Sequence, residues 1–139
     1  MRLVLDTNVV VSALIWGGTP YKLIQAAAAG DIELCTSPAL LAELREVLGR
    51  AHLASRLTEQ RSSVEQAIAL YGELAIHVSP LATPRVVQRD ADDDHVVAAA
   101  VAGGAEIIVS GDSHLLAIGS HQGTNILSAA MAVARIGSG

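Results

Sequence analysis

The chain has 139 residues, of which 51% are hydrophobic, 17% charged and 2% aromatic, and its formal net charge is −5. This length favours one domain with its own hydrophobic core. The single cysteine, Cys35, excludes a disulfide framework and a cysteine-based zinc site. The negative charge argues against non-specific binding of duplex nucleic acid, and the scarcity of aromatic side chains argues against a base-stacking platform.

The apolar segments are short. None approaches the roughly 18 uninterrupted apolar residues that a membrane helix needs. Asp6 stands where a signal peptide would have its apolar core. We therefore expect a cytoplasmic protein without a membrane segment.

The first half of the chain alternates predicted strands and helices. "RLVLD" is a short buried strand that ends at Asp6, and a helix follows from about Asn8. Thr19 is a predicted N-cap for the helix "PYKLIQAAAA", which Gly30 ends. "IELCT" is the second strand.

The second half continues this alternation. Ser37 and Pro38 are the start signal of the helix "PALLAELREVLG". Thr58 is the predicted cap of a longer helix through "EQRSSVEQAIALYGE", after which "LAIHV" is a strand and "SPLATPR" a loop. "HVVAAAVA" is a helix closed by Gly103 and Gly104, and "EIIVS" and "NIL" are the last strands.

Alternating strands and helices predict a three-layer α/β/α fold with a central parallel sheet of four to five strands. We expect a single domain over residues 1–136, and we interpret 137–139 as a flexible tail or an expression scar. In such sheets, functional groups collect at the carboxyl ends of the strands. Asp6, after the first strand, and Asp112, after the fourth, are therefore expected at the same edge.

Four aspartates fall within five positions of the segment "RDADDD". These are Asp90, Asp92, Asp93 and Asp94. The spacing of Asp90, Asp92 and Asp94 fits the first three ligands of a calcium loop. However, His95 stands where that loop needs glycine and Val101 where it needs glutamate. A calcium loop is therefore excluded, and either Asp92 or Asp93 is a candidate cap for the helix that follows.

Two further acids have constrained settings. Glu43 lies at the margin of an apolar helical stripe, whereas Glu46 falls almost opposite that stripe. Asp6 follows a buried strand, so its charge requires hydrogen bonds or a ligand in compensation. Several carboxylates in one pocket would raise one another's pKa, unless Mg²⁺ or Mn²⁺ neutralises them. Such an ion also activates water for phosphodiester hydrolysis.

The segments "LDTNVVVSAL", "SPALLAELREVL", "RDADDDHVVAAAVAGGAE" and "IIVSGDSHLL" together resemble the PIN-domain family. The proteins of this family are metal-dependent ribonucleases. Within the family, the sequence most resembles the VapC-like toxins of type II toxin–antitoxin systems. The resemblance covers nearly the whole chain. It implies a Mg²⁺- or Mn²⁺-dependent endoribonuclease whose catalytic and metal-binding acids are Asp6, Glu43, Asp94 and Asp112.

The resemblance also implies supporting roles. Asn8 and Ser110 match polar positions that orient the ligating carboxylates. Asp92 and Asp93 remain caps or auxiliary ligands. Arg85 and Arg89 either contact the RNA backbone or offset the charge of the aspartates. The family further implies a homodimer and a cognate antitoxin, both contacted through helices.

Two alternatives remain at this point. The first is a PIN-like interaction module with a weak or vestigial metal site, which the acidic net charge and the lack of stacking aromatics favour. The second is a haloacid-dehalogenase-type phosphatase. That family needs a second aspartate where this chain has Asn8 and a suitable lysine, whereas the only lysine here is Lys22. No histidine is assigned a role.

Overall fold

The structure is a computed structural model, and it describes residues 1–80 and 91–138. Strands and helices alternate through most of the described chain, as predicted. The elements in order are β1 (Arg2–Leu5), α1 (Thr7–Ile15), α2 (Gly18–Ala28), β2 (Glu33–Thr36), α3 (Pro38–Leu48), α4 (Ala51–Glu59), α5 (Val64–Leu74), β3 (Ile76–His77), α6 (Ala91–Gly103), β4 (Ile107–Val109), α7 (Ser113–Ile118), β5 (Ser120–His121), β6 (Thr124–Leu127) and α8 (Ala129–Ser138).

The central sheet has the strand order β3-β2-β1-β4-β6-β5. The first five strands of this order pair in parallel, and β5 joins β6 as an antiparallel edge strand. The predicted α/β fold with a central parallel sheet is confirmed. The hairpin between β5 and β6 was not predicted. Its two-residue turn places Gln122 and Gly123 at positive φ, as a type I′ turn requires, and glutamine rarely adopts that conformation.

Helices cover both faces of the sheet. Along β1, the side chains of Leu3 and Leu5 join one apolar cluster, and Val4 between them joins the other. The first cluster packs under α1, α2, α4, α5, α8 and most of α3, and the second packs mainly under α6 and α7. Because both faces are buried, the strands are continuously apolar, as expected of a parallel sheet.

Several helix predictions were wrong in their bounds. The predicted long helix beginning after Thr58 is instead two helices, because α4 ends at Glu59 and α5 begins at Val64. The Thr58 hydroxyl donates to the carbonyl of Ala54 inside α4, while Ser63 caps α5 by accepting from the amide of Gln66. Helix α2 begins at Gly18, before the predicted cap at Thr19. Helices α7 and α8 were not predicted at all.

At the carboxyl end of the chain, α8 continues through Gly137 to Ser138, and Gly139 lies outside the described residues. No helix in the described ranges is both long enough and apolar enough to span a bilayer.

Candidate active site at the carboxyl edge of the sheet

The first candidate acid, Asp6, lies directly after β1 and begins α1. Its backbone amide donates to the carbonyl of Val109 in the neighbouring strand (2.9 Å), and its own carbonyl accepts from the amides of Val9 and Val10. Asp6 is only 5% exposed. The backbone bonds fix Asp6 where two parallel strands end side by side.

A hydrogen-bonded chain joins Asp6 to Asp112. The hydroxyl of Ser110, a fully buried residue, donates to Oδ2 of Asp6 at 2.8 Å. The same oxygen of Ser110 accepts from the backbone amide of Asp112 at 3.0 Å. Ser110 therefore donates its hydroxyl hydrogen to the Asp6 carboxylate and fixes the start of the next loop. Its role in supporting metal-ligating carboxylates stays a prediction.

Asp112 is also the N-cap of α7. Its Oδ1 accepts from the amides of His114 (2.7 Å) and Leu115 (3.4 Å), and the Nδ1 atom of His114 lies 3.5 Å from the same oxygen. None of these contacts involves Oδ2. The side chain is 27% exposed, so it reaches the surface of the edge. A capping aspartate can thus still present one oxygen to a ligand.

Glu43 lies in the second turn of α3. Leu40, Leu44 and Val47 on this helix are buried and Glu46 is exposed, whereas Glu43 is half-buried, as its place at the margin of the apolar stripe predicted. Its Oε2 atom is shielded from solvent. Helix α3 packs against α1, which follows Asp6, and against α6, which carries Asp94.

Asp94 lies near the start of α6 and is fully buried. Helix α6 connects the parallel strands β3 and β4, so it runs antiparallel to them and begins at their carboxyl edge. It packs against β1, β4 and α3. An ionised carboxylate without solvent requires a hydrogen-bonded or ionic setting, and the positive end of a helix contributes to one.

The remaining predicted residues are placed less fully. Asn8 is exposed in the first turn of α1. Because α6 already includes Ala91, Asp92 and Asp93 lie inside the helix, and the prediction that one of them caps it is wrong. Their side chains lie outside the described residues, as do Arg85 and Arg89.

The donor set suits a hard divalent cation, because all four candidate side chains are carboxylates. Within residues 1–80 and 91–138, no three or more acidic, histidine or cysteine side chains are gathered closely enough to enclose a metal by themselves. This is compatible with Mg²⁺, which usually keeps several waters and uses only one or two carboxylates beside substrate phosphates. The residues therefore fit an open, partly hydrated site.

A cavity of about 220 Å³ lies beside Ser110, the residue whose hydroxyl contacts Asp6. Ser110 and Asn8 line it together with Ser12 and Ser128, which were not among the predicted site residues. Ser128 caps α8 by accepting from the amide of Met131 at 3.2 Å, and a serine before "AAMAVARI" is a recognisable cap signal. Nothing in the local pattern around Ser12 marks it.

The family and the fold are established by comparison with known proteins. Residues 2–114 match the model of the PIN domain family. No curated protein sequence matches the chain. Among solved structures, the chain is similar to one in the crystal structure of VapBC2 from Rickettsia felis bound to a DNA fragment from their promoter. The TM-score is 0.62 at 16% identity, covering 91% of this chain and 97% of the other.

A second solved structure, FitAcB from Neisseria gonorrhoeae, gives a TM-score of 0.58 at 18% identity, again with 91% and 97% of the two chains covered. At these identities the similarity establishes the fold, and the family model covers most of the chain. The chain belongs to the PIN domain family.

Proposed function

We propose that the protein is a Mg²⁺- or Mn²⁺-dependent endoribonuclease that hydrolyses RNA phosphodiester bonds, and that it is the toxin of a toxin–antitoxin pair. The observation that carries the proposal is the chain of hydrogen bonds from Asp6 through Ser110 to Asp112 at the carboxyl edge of the sheet. Membership of the PIN domain family supports a nuclease.

The four candidate acids share one task in this proposal. Asp6, Glu43, Asp94 and Asp112 would bind the cation, one or two of them directly and the others through its bound waters. The cation would supply an activated water and charge stabilisation for the phosphate. Ser110 orients the Asp6 carboxylate, because its hydroxyl donates a hydrogen bond to Oδ2 at 2.8 Å. Burial of Asp6 and Asp94 excludes bulk water, which strengthens their interaction with a cation.

A net charge of −5 does not oppose this function. A bound divalent cation would offset part of the negative charge of the acids at the edge and would present a positive centre to the RNA phosphate. The scarcity of aromatic side chains argues only against binding that relies on stacking.

The antitoxin partner is supported by the fold of VapBC2 and FitAcB, which are toxin–antitoxin complexes. Large apolar side chains are also exposed on helices of this chain, including Tyr21, Leu70 and Met131, and Trp16 is exposed at the end of α1. Such side chains suit contacts with an antitoxin and with a second copy of the chain. Both partners would be met in the cytoplasm, where we place the protein.

The test is cleavage of a panel of single-stranded RNAs by the purified, partner-free protein with Mg²⁺ or Mn²⁺. We expect cleavage that EDTA abolishes and that Asp6→Asn and Asp94→Asn lose. Asp31→Asn is the matched control, because Asp31 is exposed and precedes β2 at the opposite edge of the sheet. A folded wild type that cleaves no RNA with either metal would instead favour an interaction module with a vestigial site.

A further inference from the structure

The 220 Å³ cavity beside Ser110 lies over the carboxyl ends of three adjacent strands. Its walls come from α1, which follows β1, from Gly111 after β4, and from Ser128 and Ala129 after β6. It therefore shares an edge with Asp6 and Asp112. Ser110 belongs to both the acidic site and the cavity, because its hydroxyl contacts Asp6 while the residue lines the cavity.

The chemistry of the cavity differs from that of the acids. Among the described residues, none that lines it is charged, and its apolar walls are formed by Val9, Pro20 and Ala129. Its volume is below the roughly 300–1,000 Å³ of sites that enclose drug-sized ligands. These properties suit an uncharged, flat group of a larger ligand and do not suit a phosphate.

Three side chains in this cavity can read such a group. The Ser128 hydroxyl accepts from the amide of Met131, so it keeps its own hydrogen to donate. Asn8 is exposed and offers an amide donor and acceptor, and Ser12 adds a second hydroxyl. Ser110 contributes no free hydrogen, because that hydrogen is donated to Asp6. Donors and acceptors beside an apolar wall are what a nucleobase requires.

We propose that this cavity binds the base of the nucleotide adjacent to the phosphate that is cut, and that Asn8, Ser12 and Ser128 set the base preference of cleavage. The inference rests on the proposed function, since it assigns the substrate of that function to a second part of the edge. Continuity through Ser110 is the reason for choosing a nucleotide over another ligand: a base in the cavity leaves its phosphate beside the carboxylates.

The closing experiment measures binding without metal, so that it does not depend on cleavage. The four ribonucleoside 5′-monophosphates are titrated in EDTA into isotopically labelled protein, and backbone amide shifts are followed by NMR. We expect saturable shifts at Ser12, Gly111 and Ser128 with at least one nucleotide, at millimolar affinity. Ser12→Leu, which fills the cavity, weakens that binding by about tenfold or more.

Two further variants complete the design. Ser55→Leu is the matched control, because Ser55 is exposed on α4 and lies outside the cavity. We expect this variant to bind the nucleotides as the wild type does. Asn8→Ala removes one of the side chains proposed to contact the base. Because Asn8 is exposed, this variant should fold, and we expect it to weaken nucleotide binding as well. The same spectra report whether each variant is folded.

Absence of shifts at the cavity with all four nucleotides would overturn the inference, as would unchanged binding in both Ser12→Leu and Asn8→Ala. In a parallel cleavage assay, the inference predicts that Ser12→Leu alters the preferred bases around the cut. A wild type that binds nucleotides here but cleaves nothing would speak against the proposed nuclease alone. A wild type that cleaves but leaves the cavity unshifted would speak against this inference alone.

Discussion

Replacing Ser110 by alanine is expected to destabilise the protein more than any ordinary serine-to-alanine change. Ser110 is fully buried and makes two hydrogen bonds, one to the Asp6 carboxylate and one from the Asp112 amide. A hydrogen bond to a charged group contributes about 1.5–3 kcal/mol and one between neutral groups about 0.5–1.5 kcal/mol. Water can recover part of the loss at Asp112, whose side chain is 27% exposed. We therefore expect a loss of about 2–4 kcal/mol.

The assay is equilibrium unfolding in urea, with the slope of the transition compared between variants. Ser63→Ala is the control, because Ser63 makes a single exposed capping bond to the amide of Gln66, and such a cap contributes about 1 kcal/mol. A loss for Ser110→Ala no larger than that of Ser63→Ala would refute the argument that Ser110 ties the two strand ends together. In addition, Ser110→Ala should weaken Mn²⁺ binding by about 10–100-fold, because the carboxylate of Asp6 loses its orienting partner.

Three other substitutions test separate parts of the account. Glu43→Gln should lower metal-dependent cleavage by more than the roughly 10–100-fold typical of outer-shell changes, whereas Glu46→Gln, exposed on the same helix, should leave it unchanged. Tyr71→Phe should leave the free energy of unfolding in urea unchanged or raise it by about 1 kcal/mol. The buried Tyr71 hydroxyl has no hydrogen-bond partner in the described structure, and burial raises its pKa. A clear loss of stability in Tyr71→Phe would contradict this. Gly103→Ala should cost about 1–3 kcal/mol, since the new methyl would lie 3.0 Å from Sγ of buried Cys35, and the cost should shrink in a Cys35→Ala background.

The predictable parts of the fold are those with strong local signals. Ser37 caps α3 by accepting from the amide of Leu40, and Pro38 begins the helix, as the sequence indicates. Once that start is known, helical periodicity places Glu43 at the margin of the buried stripe. The strands are likewise recognisable, because burial on both faces requires continuous apolar runs.

The errors have physical causes as well. No glycine or proline separates α4 from α5, and the break depends on Arg61, which adopts a positive φ of 59° that few arginines take. Thr58 is a residue type that often caps helices, but its hydroxyl instead donates a hydrogen bond to the carbonyl of Ala54. The bond between Ser110 and Asp6 spans 104 positions, so no local pattern reveals it. The cavity residue Ser12 was missed for the same reason.

The acidic run also changed in meaning. In the sequence it is one block of like charges, but the structure distinguishes its members. Asp94 is fully buried on a helix that packs against β1 and α3, whereas Asp92 and Asp93 lie within the helix rather than at its cap. The complete burial of Asp94 makes its substitution an informative test.

The most direct test of the central claim is calorimetric titration of the purified protein with Mn²⁺. The account predicts binding to the wild type and to Asp31→Asn, and loss of binding in Asp6→Asn, because Asp6 is the proposed ligand at the carboxyl edge while Asp31 is exposed at the opposite edge. Absence of binding to the folded wild type, or an unchanged isotherm for Asp6→Asn, would contradict the claim that these carboxylates form a metal-dependent active site.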